Sequence, residues 1–346
     1  MQSLLNSGKK LVLLVVVAVL LSASFSFAAD PIILKFSTQN AENAWSTQHG
    51  LKPWLKMIED DSQGTIKFEL YANQTLAKGN QNWMAVKNGI ADCAWNSMSM
   101  YNGLNPLAEA ETLPGLPVAD SKQLVDRVWD MYESIPAAQK RYEDVKLLAL
   151  YPSDNNSGMH FIKPVKTLED LKGLKVHSFG TGPSVDFLKG LGATPVPMAM
   201  PDVYMALQKG TIEGCLADWD AYVAFRTYEL AKYTISNAPL GTSHFSIIMN
   251  QDKFEALPQV AKDAILKHSG REGSRWLVEN FSCSGRELAK DLIDQKKVEV
   301  YELPPAERAR WVEACKPAWA NWLEYAVSKG VSREDAQKAL DIFTHP

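Results

Sequence analysis

WMAVKNGIADCAW, at 83–95, and YMALQKGTIEGCL, at 204–216, are one local pattern written twice, 121 residues apart. Each reads as an amphipathic helix, a glycine just past its end, and a short apolar strand opened by an acid. Met84-Ala85-Val86 answers Met205-Ala206-Leu207, Gly89 answers Gly210, and Asp92 answers Glu213. Both glycines suit the left-handed position that closes a helix, which residues with a Cβ avoid. The separation far exceeds the roughly 20–50 residues of a solenoid repeat. The echo therefore predicts two similar lobes, each built on its own sheet.

The flanking segments fit an α/β fold. PIILKFSTQN alternates and carries β-branched residues, which predicts a strand. AWSTQHGLKPWLKMIEDDSQG predicts a helix closed by Gly64, and TIKFELYANQ a second strand. Strand, helix, strand and helix in that order indicate a sheet covered by helices. Polar, Gly and Pro content at 148–165 predicts a crossing from the first lobe to the second, and APLGTSHFSIIMN a return. These shifts assign 30–150 and about 243–290 to lobe 1, and 151–242 to lobe 2. The helical tail, 291–346, belongs with lobe 2 and packs across both. Trp311, Trp319 and Trp322 in that tail read as packing residues.

The N-terminus carries Lys9 and Lys10, an apolar run from Leu11 to Leu21, and small residues at Ser26 and Ala28. That is the three-part pattern of a cleaved secretory signal over 1–29, and it predicts a periplasmic protein. The run is too short for a spanning helix, which needs about 20 residues, and no later stretch is long enough. A formal charge of −4, made more negative by loss of the two lysines, argues against a nucleic-acid partner. Cys93 and Cys215 lie in apolar strands and read as buried free thiols. Cys283 and Cys315 are left open as a pair or two thiols, since the compartment permits disulfides.

Most enzyme chemistries lack their residues. GLKVHSFGTGP (173–183) is a strand, a glycine turn and a helix start, a common anion cradle. Gly180 and Gly182 supply two glycines of a dinucleotide fingerprint, but Val185 stands in the third place. No phosphate loop is present. The histidines, at 49, 160, 177, 244, 268 and 345, never fall three or four apart, so no helical metal pair exists. There is no nucleophile elbow, and Ser178 beside His177 makes no triad. The expectation is a binding protein without cofactor or metal; a periplasmic enzyme is the alternative class.

The run 167–215 resembles the periplasmic solute-binding subunits of TRAP transporters, the DctP family. The similar stretches are Asp170-Leu171-Lys172-Gly173-Leu174-Lys175-Val176, Gly192-Ala193 with Pro195, Pro197-Met198, Asp202-Val203-Tyr204, and Ala206-Leu207-Gln208 with Gly210. LYANQTLAKGN and MAVKNGIADCAW extend the likeness more weakly over most of the chain. The resemblance implies a two-lobed clamshell, each lobe a mixed sheet flanked by helices. It also implies a small organic acid held between the lobes and delivered to a membrane permease driven by an ion gradient.

One departure bears on the ligand. The family's arginine after the Leu-Lys-Val strand, which grips a carboxylate with two hydrogen bonds, is His177 here, and a frequent asparagine is Ala217. Histidine offers one donor per nitrogen and titrates, so the usual clamp is weakened. Lys163 matches a frequently basic position and offers charge instead. Trp45, Trp95 and Trp219 fall where the family's layout places the cleft rim, which implies flat walls for an aromatic ligand. Asp218 and Asp220 would serve an ammonium. Asn40, Ser97, Ser178, Tyr222 and His244 complete the candidate binding residues. The expected ligand is an indole acid or an aromatic amino acid such as tryptophan. A C4-dicarboxylate or small sulfonate, held by Lys163 and backbone donors, is the alternative.

Overall fold

The computed structural model describes residues 30–101, 103–154, 158–179, 182–283 and 285–345; the expected signal segment lies outside them. The first sheet contains β1 (Ile32–Ser37), β2 (Ile66–Tyr71), β3 (Cys93–Ser97), β4 (Val145–Pro152) and β10 (His244–Asn250), in the order β2-β1-β3-β10-β4. The second contains β5 (Gly158–Phe161), β6 (Lys175–Phe179), β7 (Thr194–Met198), β8 (Gly214–Ala217), β9 (Tyr233–Ile235) and β11 (Glu299–Tyr301), in the order β11-β9-β5-β8-β6-β7. Both sheets are mixed, since β1 pairs parallel with β2 and β3 while β10 runs antiparallel to β3. In the second sheet β6 pairs parallel with β7 and β8, while β5 runs antiparallel to β8.

The sequence echo is a structural repeat. Phe36 and Ser37 pair with Cys93 and Ala94; Val176 and His177 pair with Gly214 and Cys215, in the register the two stretches predict. The opening acids do the same work in each lobe. Asp92 accepts from the backbone N–H of Lys35 (2.8 Å), and Glu213 from that of Lys175 (3.2 Å). Gly89 and Gly210 close the preceding helices at φ of +72° and +68°. One-for-one correspondence of helix end, acid and strand register leaves no room for coincidence.

Each sheet has its own packing. Leu34, Phe36, Trp54, Trp83 and Ile247 share the core of the first, and Met159, Val176, Phe187, Leu216 and Trp311 that of the second. The chain passes between them from β4 to β5 and from β9 to β10. It passes again before the Gly285–Asp294 helix, whose Ala289 and Leu292 pack with Trp219 and Tyr222. Composition placed that last passage near residue 290.

The tail ties the halves together. Helix Pro305–Cys315 buries Trp311 and Cys315 against the second core, and helix Pro317–Ser328 buries Trp322 against the first. Such rings bury roughly 150–250 Å² each, or about 4–6 kcal/mol of transfer free energy. Their polar edges are satisfied: Trp319 Nε1 donates to Pro114 O (2.8 Å) and Trp322 Nε1 to Pro106 O (3.0 Å). All four cysteines are free; Cys283 sits by Ser121 and Asp154, while Cys315 belongs to the second core. No helix among the described residues is long and apolar enough to cross a membrane.

Candidate functional site

A cavity of about 510 Å³ lies between the sheets, within the usual range for a small-molecule site. Strand ends and the loops after them supply its walls, because strands that stop at the lobe boundary leave their last side chains facing it. From the first lobe come Asn40, Trp95, Ser97, Met100 and Phe245; from the second, His177, Phe179, Met198, Asp218 and Phe225. Phe281, in the last turn of the helical run Gly270–Ser282 of lobe 1, completes the apolar wall.

Trp95 is the centre of that wall. Its ring lies 4.8 Å from Phe245 and 5.5 Å from Phe281, centroid to centroid, and its Nε1 donates to Tyr151 Oη (2.7 Å). With its polar edge satisfied, the indole offers the cavity an apolar surface. Trp45 and Trp219 do not line the cavity, contrary to the expectation. Trp45 stacks on His49 at 3.9 Å, and Trp219 turns inward against His160 and Tyr222. Their places are taken by Phe179, Phe225, Phe245 and Phe281, which sequence reasoning passed over. Two of these gave a usable signal: Phe179 and Phe245 lie within two residues of His177 and His244, both already candidates.

His177 reaches the cavity but is only 1% exposed. Its Nδ1 lies 3.2 Å from Leu216 O and its Nε2 3.2 Å from Met198 O. The neutral ring has one N–H, so one of these carbonyls accepts from it while the other only stands close, and the imidazole is wedged between β7 and β8. Lys163 is exposed and away from the lining. Ser178 and Tyr222 are fully buried and also outside it; Tyr222 stacks on His160 and donates to Ala231 O (2.7 Å). His244 lines a smaller adjoining recess.

The polar lining carries one cation, Lys78, and three acids, Asp202, Asp218 and Asp220. Asp218 caps the Trp219–Ala224 helix through Ala221 N (2.8 Å). Burial, then the neighbouring Asp220, raises its pKa to about 7. Burial also raises Asp220, whose carboxylate accepts from Ser46 N (3.1 Å) and Ser46 Oγ (2.7 Å) across the lobe boundary. Asn40 Nδ2 and Gln39 Oε1 are buried at the cavity without a hydrogen-bond partner. Among the described residues no His, Cys, Asp and Glu cluster could hold a metal.

Burial holds two histidines neutral, His177 down to about 4 and His160 to about 3. Above the ordinary value of about 6.5 neither folded nor unfolded chain protonates them, so their contribution to stability is intact. As pH falls below that, the unfolded chain binds protons first. Stability then drops by up to about 1.4 kcal/mol per pH unit per histidine, until the folded values are reached. Asp218 acts oppositely, stabilising below about 3.8 and losing that as pH rises through about 7, one group against two histidines. Urea unfolding should therefore show a loss of about 2 kcal/mol between pH 7 and pH 5. His160→Gln should flatten that slope, and an unchanged slope would refute the neutral buried imidazole.

Two lobes joined by several passages, with an aromatic-walled cavity between them, are the architecture of a two-lobed solute-binding protein. The chain belongs to the bacterial extracellular solute-binding protein family 7, DctP, whose model matches residues 36–325. It is a solute-binding protein of that family, and the solved structures it resembles are TRAP solute-binding proteins. It is 24% identical over 318 residues to the C4-dicarboxylate-binding periplasmic protein DctP of Shewanella loihica, covering 91% of this chain and 92% of that one. The TRAP solute-binding protein of Rhodoferax ferrireducens, solved with copurified benzoate, superposes with a TM-score of 0.82 at 26% identity, over 90% of this chain and 97% of the other. A marine-metagenome TRAP protein specific for aromatic acids, solved with 3-hydroxybenzoate, gives 0.81 at 28% identity, over 91% and 98%.

Proposed function

We propose that this protein captures a small aromatic carboxylic acid between its lobes, in the periplasm after removal of 1–29, and delivers it to the membrane permease of a TRAP transporter. The observation that carries this reading is the cavity wall. Trp95, Phe245 and Phe281 on one side, with Phe179 and Phe225 on the other, leave a flat body the natural occupant. A C4-dicarboxylate needs two sets of cationic or N–H donors, and among the described residues of the lining Lys78 is the sole Lys or Arg against three acids. Lys78 and Asn40 Nδ2 are the groups suited to a single carboxylate. Asp218 and Asp220 favour a second form of the same reading, an aromatic amino acid whose ammonium they would face. The two benzoate-type complexes among the similar structures support the aromatic class.

Ligand binding closes the lobes because only the closed state contacts it from both sides. A ligand at a hundred times its dissociation constant should stabilise the fold by about 2.7 kcal/mol, a rise of several degrees in Tm. A thermal-shift panel of benzoates, indole acids, aromatic amino acids, dicarboxylates and sulfonates checks this. Shifts confined to dicarboxylates or sulfonates would overturn the aromatic reading.

A further inference from the structure

Beside the cavity, and sharing Ser99, Phe179 and Ser243 with it, lies a recess of about 30 Å³, the volume of one water or one hydroxyl. Both lobes build it. Met98, Glu109 and His244 come from the first, and Gly182, Ser184 and Phe187, at the start of the Pro183–Gly190 helix, from the second. Two of its polar atoms are buried with no hydrogen-bond partner, His244 Nε2 and Glu109 Oε2.

The surroundings set what these atoms accept. His244 is 3% exposed and its Nδ1 pairs with Glu111 Oε1, itself fully buried. That contact fixes the ring and turns Nε2 to the recess, where the tautomer decides whether it donates or accepts. Glu109 Oε1 accepts from Gly103 N (3.1 Å), which leaves Oε2 aimed at the second lobe. A Cβ added at Gly182 would stand 3.3 Å from that oxygen, so a larger residue there would crowd it. Two buried polar atoms converge on a space of one oxygen, next to a cavity walled by aromatic rings. An unmet buried polar atom is costly, and a group that satisfies both is strongly selected.

We propose that this recess is a hydroxyl subsite: a ring hydroxyl of the bound aromatic acid enters it, donates its one proton to Glu109 Oε2 and accepts from His244 Nε2–H. The inference rests on the aromatic-acid reading and narrows it to hydroxylated rings. It makes Glu109, His244 and, through orientation of the imidazole, Glu111 determinants of specificity.

Titration calorimetry on the exported protein with benzoate, 3-hydroxybenzoate, 4-hydroxybenzoate and 3-methoxybenzoate tests it. One hydroxybenzoate should bind at least about tenfold tighter than benzoate, and the methoxy analogue should lose that advantage, having no proton to donate. In Glu109→Gln and His244→Gln the ratio of hydroxybenzoate to benzoate affinity should collapse to within about threefold. Benzoate binding with no preference for a hydroxyl, or variants that leave the ratio untouched, would overturn the subsite alone. Failure of every aromatic acid to bind would overturn the underlying reading as well.

Discussion

Trp95→Ala is expected to cost the fold about 3–5 kcal/mol and to weaken capture of an aromatic acid at least tenfold. The ring is 2% exposed, packed between Phe245 and Phe281, and forms the cavity's central wall. Its loss opens a void inside the first core and removes the flat contact surface together. It also strips Tyr151 Oη, fully buried, of its Nε1–H partner. Trp95→Phe separates these contributions: it keeps a ring and drops the hydrogen bond, for about 1–3 kcal/mol of stability. Chemical unfolding and calorimetry on both variants provide the check. An alanine variant that binds aromatic acids as tightly as the parent would remove Trp95 from the site.

Gly285→Ala should be nearly as damaging, although residue 285 touches no cavity atom. A Cβ there would lie 2.2 Å from Asp220 N and 2.7 Å from Trp219 C, both backbone atoms that no rotamer change can move away. The Gly285–Asp294 helix must then withdraw from Trp219–Ala224, the helix that carries Asp220 and starts at Asp218. Overpacking of this kind costs about 1–3 kcal/mol. Displacement of Asp220 also loosens its two hydrogen bonds to Ser46, which join the lobes. We expect a lower Tm and a several-fold weaker ligand, and an unaltered dissociation constant would show that the contact is structural only.

The parts of this molecule that were legible in the chain depend on near neighbours. Helix, left-handed glycine and acid-led strand recur at 83–95 and 204–216 because each lobe meets the same local requirement: stop a helix, then feed a parallel strand beside the previous one. Asp92 and Glu213 could be paired by eye before their bonds to Lys35 and Lys175 were seen. The exchange of the family's arginine for His177 was equally plain, because it interrupts a well-marked run.

The contents of the site were less legible. Asn40, Trp95, Ser97, His177 and Asp218 reach the cavity; Trp45, Lys163, Ser178, Trp219 and Tyr222 do not. Trp219 shows why. It lies between Asp218 and Asp220, both of which reach the cavity, yet its ring turns toward His160. Which way a residue at a helix start points is set by the neighbours packed on that helix, here the distant Gly285–Asp294 segment. His177 teaches the same lesson, since its identity was written in the chain but its place between the carbonyls of Leu216 and Met198 was not.

Two lobes and their repeated topology were determined by sequence alone, because hydrophobic period, glycine placement and capping act over a few residues. Which rings line the cavity, and which polar side chains meet at the recess beside it, was decided only by tertiary structure. Those properties arise where strand ends from two sheets converge, and residues such as Glu109, Gly182 and His244 are brought together by packing across more than a hundred positions of chain.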